Sequence, residues 1–160
     1  MPQRDIHNTV KTAVALDIQT ISTNTTTAGN IIDTQGYEGV EFILLSDTIT
    51  DGVYTPSIVA GDNSSLTDGV AVPIQYLIGT TKVIDTLASQ RPSYDSPSVA
   101  AIADATFSLA ADSNKSKRIG TVTPYRYVRL NIASTGTSSG GALGAIALLG
   151  WSHVNPTPKD

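Results

Sequence analysis

Apolar and β-branched residues alternate with polar ones along most of the chain. From Val10 to Ile18 they take every second position, at Val10, Thr12, Val14, Leu16 and Ile18, while Lys11, Asp17 and Gln19 face the other way. That is the period of a half-buried strand. A helical stripe through Val10, Val14 and Ile18 also fits, but the Thr-rich run "TISTNTTTAGN" that follows disfavours it and reads as a loop or an edge. In "IIDTQGYEGVEFILLS", Val40, Phe42 and Leu44 share one face and Glu41 lies on the other, with Ile43 and Leu45 extending burial to both sides. Asp51-Gly52 then supplies a turn dipeptide tolerant of positive φ. "VYTPSIVA" reads as a strand whose Pro56 predicts an edge or a bulge. The polar turn "GDNSSLTDG" leads into a strand from Val70 to Ile78.

The rhythm breaks between Thr80 and Asp104, where Pro92, Pro97, Tyr94 and short Ala-rich pieces predict a long loop excursion. Alternation resumes through Ala105, Phe107 and Leu109, and "SNKSK" turns the chain into "RIGTV". In "TPYRYVRLNI", Val128, Leu130 and Ile132 take one face and Tyr127, Arg129 and Asn131 the other. "STGTSSGG" is a hairpin loop, and "ALGAIALLGW" is apolar on both faces, which predicts a central strand. The closing "SHVNPTPKD" holds two prolines in a short span and predicts no regular structure. About eight to ten short strands joined by Gly, Asn and Asp turns predict a single all-β domain over residues 1–160. The expected form is an antiparallel β-sandwich, jelly roll or barrel with extended terminal segments.

Composition narrows the function. Charged residues make up 15% of the 160, against roughly 25% in an average soluble domain. Ser, Thr and Asn fill the polar positions, and such a surface is desolvated at low cost because no full charge has to leave water. The net charge of −4 opposes a nucleic-acid partner. The one basic cluster, Lys115, Lys117 and Arg118 beside Asp112, reads as a solvated hairpin tip. With no cysteine there is no disulfide framework, thiolate metal site or Cys nucleophile. No apolar window reaches the ~18 residues of a membrane span. The start "MPQRDIHNTV" has no apolar segment of the secretory kind, which predicts a cytosol-like setting before assembly.

The residues do not organise a reaction. His7 and His153 both sit in polar terminal segments, without the buried orienting group that a triad needs. They show no metal-ligand spacing. "GDNSSLTDG" resembles a calcium loop only through Asp62, Ser64 and Asp68, and lacks the glycine and bidentate glutamate that such loops use. The expectation is therefore no enzyme, no catalytic residue, no metal and no cofactor. Tyr94, Tyr125 and Trp151 are the aromatics that a sugar-binding or partner-binding surface would use.

Several stretches carry a family resemblance. "IIDTQGYEGVEFILLSDTITDGVYTPSI", "SNKSKRIGTVTPYRYVRLNIASTGTSSGG" and "ALGAIALLGWSHVNP" resemble, in the same order, small tailed-bacteriophage virion proteins of the head decoration or cement type. The pattern rests on Asp33, Gly36, Tyr37 and Glu38, then Asp51-Gly52, then Arg118, Ile119 and Gly120, then Arg126, Tyr127, Val128 and Arg129. The resemblance implies a β-sandwich or jelly roll on the outside of an icosahedral head, assembled in the bacterial host cytoplasm. It would bridge major capsid protein subunits and pair with itself, as a homodimer in preference to a trimer. The excursion over 80–104 departs from the pattern. Two alternatives remain: a neck or tail component of similar fold, and a carbohydrate-binding module using Tyr94 and Trp151. For Arg129 the expectation is a stacked, ion-paired role on the sheet, with Glu38 or Glu41 as partner.

Overall fold

The computed structural model describes residues 6–73, 76–78, 105–108 and 110–153, apart from the side chain of Trp151. Along these residues run β1 (Lys11–Ile21), β2 (Thr26–Asp33), β3 (Tyr37–Ile49), β4 (Val53–Gly61) and β5 (Val70–Ala71). They are followed by β6 (Leu77–Ile78), β7 (Phe107–Ser108), β8 (Ser116–Thr121), β9 (Tyr127–Thr135) and β10 (Gly141–Ser152). One sheet, A, has the order β1-β10-β3-β8-β6; the other, B, has the order β2-β9-β4-β5, with β7 also paired to β4. Every pairing is antiparallel. The excursion over 80–104 lies outside the described residues.

Period-two alternation places one face of each sheet against the other. Phe42, Leu44, Ile119 and Leu149 of sheet A meet Tyr54, Ile58, Leu130 and Ile132 of sheet B, and Phe107 closes the side between them. Full burial of each such side chain contributes about 1.5–3 kcal/mol. The inner rows match the sequence reading of β3 and β9, since Val40, Phe42, Leu44, Val128, Leu130 and Ile132 are all buried.

Several local expectations change. The phase of β1 is not continuous: its pairing with β10 slips between Val14 and Leu16 and again between Leu16 and Gln19. Ala15 and Leu16 are both buried, whereas Val14 is 54% and Ile18 86% exposed. The cause is the neighbouring β2, which belongs to sheet B and crosses β1 at the edge of the sandwich. A Cβ on Gly29 would stand 2.2 Å from the Ala15 carbonyl oxygen, so only glycine permits this approach. The Thr-rich run, read as a loop or an edge, holds both: a turn over 22–25 and then the edge strand β2. Leu45, expected to be buried, is 46% exposed on the outside of sheet A.

Pro56 marks no bulge, but it does sit at a local edge. Strand β4 pairs with β9 along its whole length, while its other side meets β7 at Val53 and Tyr54 and β5 at Val59 and Ala60. The proline falls in the gap between those two short partners, where no ladder bond is required of it. The strand expected over Val70 to Ile78 is two separate pieces, β5 in sheet B and β6 in sheet A.

Of the basic cluster, Lys115 and Arg118 are exposed as a solvated tip requires, but Lys117 is not. Lys117 lies in β8 opposite Leu44. Its ammonium bridges Asp112 at 3.2 Å, donates to the Thr106 carbonyl and sits 4.9 Å from the centre of the Phe107 ring. Burial acts to raise the Asp112 pKa, but the Ser108 amide and Lys117 outweigh it and bring the carboxyl below its ordinary range.

Candidate interaction face

The residues of the sequence signature fall into three places. At one end of the sandwich, Asp51 accepts hydrogen bonds from the Ser138 hydroxyl and from the successive amides of Ser138, Ser139 and Gly140. The Ser138 hydroxyl and these amides hold its carboxyl far below the usual carboxylate range. Gly52 follows with φ 96°, and a Cβ there would strike the Thr137 methyl group at 2.3 Å. Tyr54, fully buried, aims its hydroxyl at the carbonyls of Ile21 and Asp51, 3.1 and 2.9 Å away.

At the opposite end, Asp33 and Arg126 form a two-pronged pair, Nε to Oδ1 at 3.0 Å and Nη2 to Oδ2 at 2.7 Å. That bonding lowers the Asp33 pKa and raises that of Arg126. The guanidinium lies 5.0 Å from the centre of the Tyr127 ring. Gly36, with φ 86°, turns the chain into Tyr37 and Glu38. Both clusters tie loops to loops, a structural task met by their own side chains.

Arg129 does not pair as expected. Glu38 and Glu41 belong to sheet A, whereas Arg129 is on sheet B between Ile31 and Val59. Its buried Nε has no hydrogen-bond partner, and neither does the buried Oδ1 of Asn131. Glu41 instead meets Arg118, with Nε 3.6 Å from Oε1. His153 faces Glu38 at 3.7 Å. In the turn with Asp62, Ser64 and Asp68, the Asp68 carboxylate accepts the amides of Asp62 and Asn63, which lowers its pKa. No cluster of three metal-ligating residues occurs among the described residues. Tyr94 and the side chain of Trp151 lie outside the described residues, and Tyr125 packs against the core.

The third place, Arg118 and Gly120, leads to the surface that sequence reasoning missed. Cross-strand register sets the outer face of sheet A in rows. One row runs Thr12, Leu148, Glu41, Gly120, Ile78; the next runs Val14, Ile146, Ile43, Arg118; a third runs Gly144, Leu45, Ser116. Ile18 drapes over Gly144, whose Cβ would meet the Ile18 side chain at 2.8 Å. Val14, Ile18, Leu45, Ile78 and Val122 are all exposed on or beside this face, and Ile43, Ile146 and Leu148 are half-exposed. Strands at ~3.3 Å per residue and ~4.8 Å apart give the whole face a footprint of roughly 700 Å². That is close to the ~800 Å² that each partner contributes to a standard protein interface. The aliphatic side chains cover part of that footprint, around the Glu41–Arg118 pair, and exposed aliphatics grouped in this way mark a surface suited to being covered.

Toward the Tyr37 end, the face hollows into a groove of about 730 Å³, lined among others by Val10, Glu38, Glu41, Leu148, Gly150 and His153. The signal that could have found the face was in the sequence: β3 and β10 carry aliphatics at both parities, so one set had to point away from the core. No protein-family profile matches the chain, and no curated protein sequence is significantly similar to it.

Proposed function

We propose that this protein is a structural component of a tailed-phage virion, a decoration or cement protein of the head. It binds the outside of the icosahedral shell, bridges major capsid protein subunits, associates with its own copies and performs no turnover. The observation that carries this reading is the aliphatic outer face of sheet A, a surface fit for burial against a neighbour. The jelly-roll form of the sandwich belongs to the same proposal. What supports it is that successive strands from β1 to β4 and from β7 to β10 change sheet at each step, with β5 and β7 both paired to β4, an order compatible with two interlocked Greek keys. That winding is shared by many viral shell proteins and lectins. Retention on a shell gains from repetition, because each modest contact recurs at every symmetry-related position.

The experiment is a census of purified particles by quantitative mass spectrometry with cryo-microscopy of the head. A decoration protein is present at on the order of hundreds of copies, as density outside the capsomers. A dozen copies or fewer would move it to the neck or tail, and absence from the particle would overturn the reading.

A further inference from the structure

The groove at the Tyr37 end of sheet A has features that a flat apolar face does not need. Its floor is a cross-strand pair of glycines, Gly39 opposite Gly150. A Cβ on Gly150 would meet nothing within 4 Å, so the hollow there is a missing side chain and not a close backbone approach. Glycine inside a strand costs roughly 0.5–1 kcal/mol relative to alanine, and at Gly150 no neighbouring atom demands it. Val10, Leu148, Ile78 and Val122 form apolar sides. The groove follows β10 from Leu148 to His153, roughly 17 Å at ~3.3 Å per residue, the span of about five residues of extended chain.

Its polar lining includes Thr9, Thr121, Ser152 and His153, and its carboxylates are Glu38 and Glu41. The Glu41 carboxylate lies across Gly120, in space that a Cβ would occupy, 2.1 Å from Oε2. The Glu41 side chain is 28% exposed, while that of Arg118, its ion-pair partner, is 61% exposed and reaches no closer than 3.6 Å. Burial pushes the Glu41 carboxyl above its ordinary pKa, and Arg118 only partly opposes this. Glu38 adds a second carboxylate at the rim, beside His153. A half-buried carboxylate with so loose a partner gains from a second cation brought in with its own apolar cover.

We propose that this groove binds an extended segment of a partner protein in which a lysine or arginine, with aliphatic residues two positions to either side, sets its cation on Glu41. Alternation at ~6.6 Å per two residues carries the cation and both aliphatic side chains on one face of such a segment. The inference rests on the groove alone and stands apart from the shell reading.

The test uses the full chain and a set of capped peptides of the form TXTZTXT. X is Val, Ile, Leu or Met, and Z is Lys, Arg, norleucine or Glu. Binding is followed by fluorescence anisotropy and by amide shifts in two-dimensional NMR. The expected result is binding of the best Lys or Arg peptide at least fivefold tighter than its norleucine counterpart, with shifts at Gly39, Glu41 and Gly150. Glu41→Gln, which keeps the shape over Gly120, removes that preference without lowering thermal stability, and Gly150→Phe fills the hollow and abolishes binding of every peptide. No shifts at those residues up to millimolar peptide, equal affinity for Lys and norleucine, or butylammonium binding as tightly as the best peptide would each overturn the proposal. None of these outcomes alters the particle census, so the two readings fail separately.

Discussion

Replacing Tyr54 by Phe removes one oxygen from the most tightly organised part of the molecule. The side chain is fully buried, and its hydroxyl lies within hydrogen-bond distance of two backbone carbonyls, that of Ile21 at the end of β1 and that of Asp51 in the β3–β4 turn. One proton serves both acceptors. Losing a net hydrogen bond costs about 0.5–1.5 kcal/mol, and where a buried carbonyl is left without any donor the cost is instead about 1–3 kcal/mol. The ring itself stays and keeps its packing near Gly52 and Gly141. The expected loss is therefore about 1.5–2.5 kcal/mol, well below the ~3–5 kcal/mol of deleting an aromatic side chain. For a domain of this size that is a melting temperature lower by roughly 4–8 °C, or a urea midpoint lower by ~1 M at an m-value near 2 kcal/mol/M. Hydrogen exchange adds a local readout, because Asp51 holds the amides of Ser138, Ser139 and Gly140. Their exchange should accelerate more than that of β9 amides. A midpoint unchanged within ~0.5 kcal/mol, or uniform acceleration across the sheet, would refute the view that this hydroxyl ties β1 to the turn.

Acid unfolding should follow the carboxylates that the fold engages. Asp33, Asp51, Asp68 and Asp112 are held below their ordinary pKa, so the unfolded chain binds more protons and their stabilisation, complete above about pH 4, is lost as pH falls through the folded values. Urea midpoints measured from pH 5 down to pH 2 check this, and a flat profile would contradict it. Glu41 has the opposite sign: its raised pKa means the folded chain holds the proton longer, so ionisation costs stability as pH rises past about 4.5. Wild type should lose ground against Glu41→Gln between pH 4 and 7, and parallel curves would count against the buried carboxylate. Gly120→Ala should destabilise by about 1–3 kcal/mol, since its Cβ would displace the Glu41 carboxylate and stand 3.1 Å from the Val40 carbonyl. Adding Glu41→Ala should recover part of that loss in a double-mutant cycle. Leu45→Lys on the outer face should move the melting temperature by under about 2 °C yet weaken particle binding at least tenfold, read by co-sedimentation with heads.

What could be read from the sequence was what local pattern controls. Strict alternation in Val128, Leu130 and Ile132, or in Val40, Phe42 and Leu44, names the inner face wherever a strand is regular, because a one-residue slip would flip the whole set. The same logic failed at β1, where the register slips twice beside the strand that Gly29 lets approach, and Val14 and Ile18 are exposed. No property of "TAVALDI" announces that, since the cause sits in another strand. The split of Val70 to Ile78 between two sheets was equally non-local. Arg129 was matched with the wrong carboxylates because sequence distance carries no information about which sheet a strand joins. Arg126, two residues before the strand's first buried position, found Asp33 through the register of β2 on β9. The groove glycines were visible as letters, but Gly39 and Gly150 acquire meaning only when pairing sets them side by side.

The two outer faces of the sandwich differ in kind, and that difference constrains orientation. Sheet B presents Thr55 and Ser57 beside Ala133 and Asn131, with Arg129 and Val59 in the next row and the Asp33–Arg126 pair at the end. Such a mixture offers less apolar surface to a neighbour than sheet A does, and it already holds the buried Arg129 Nε and Asn131 Oδ1. Sheet A presents aliphatic side chains in adjacent rows, broken by one loosely held ion pair. Each square ångström of that face moved out of water is worth about 25 cal/mol before the costs of association. A neighbour of any identity is therefore drawn to sheet A first. The hydrogen-bonded loop clusters around Asp51 and around Asp33–Arg126 lie at the two ends of the strands, away from the middle of this face, and hold the sandwich rigid. On the proposed reading, one apolar side would hold the copies in a single orientation on the shell, because turning the molecule over would exchange an aliphatic contact for a more polar one.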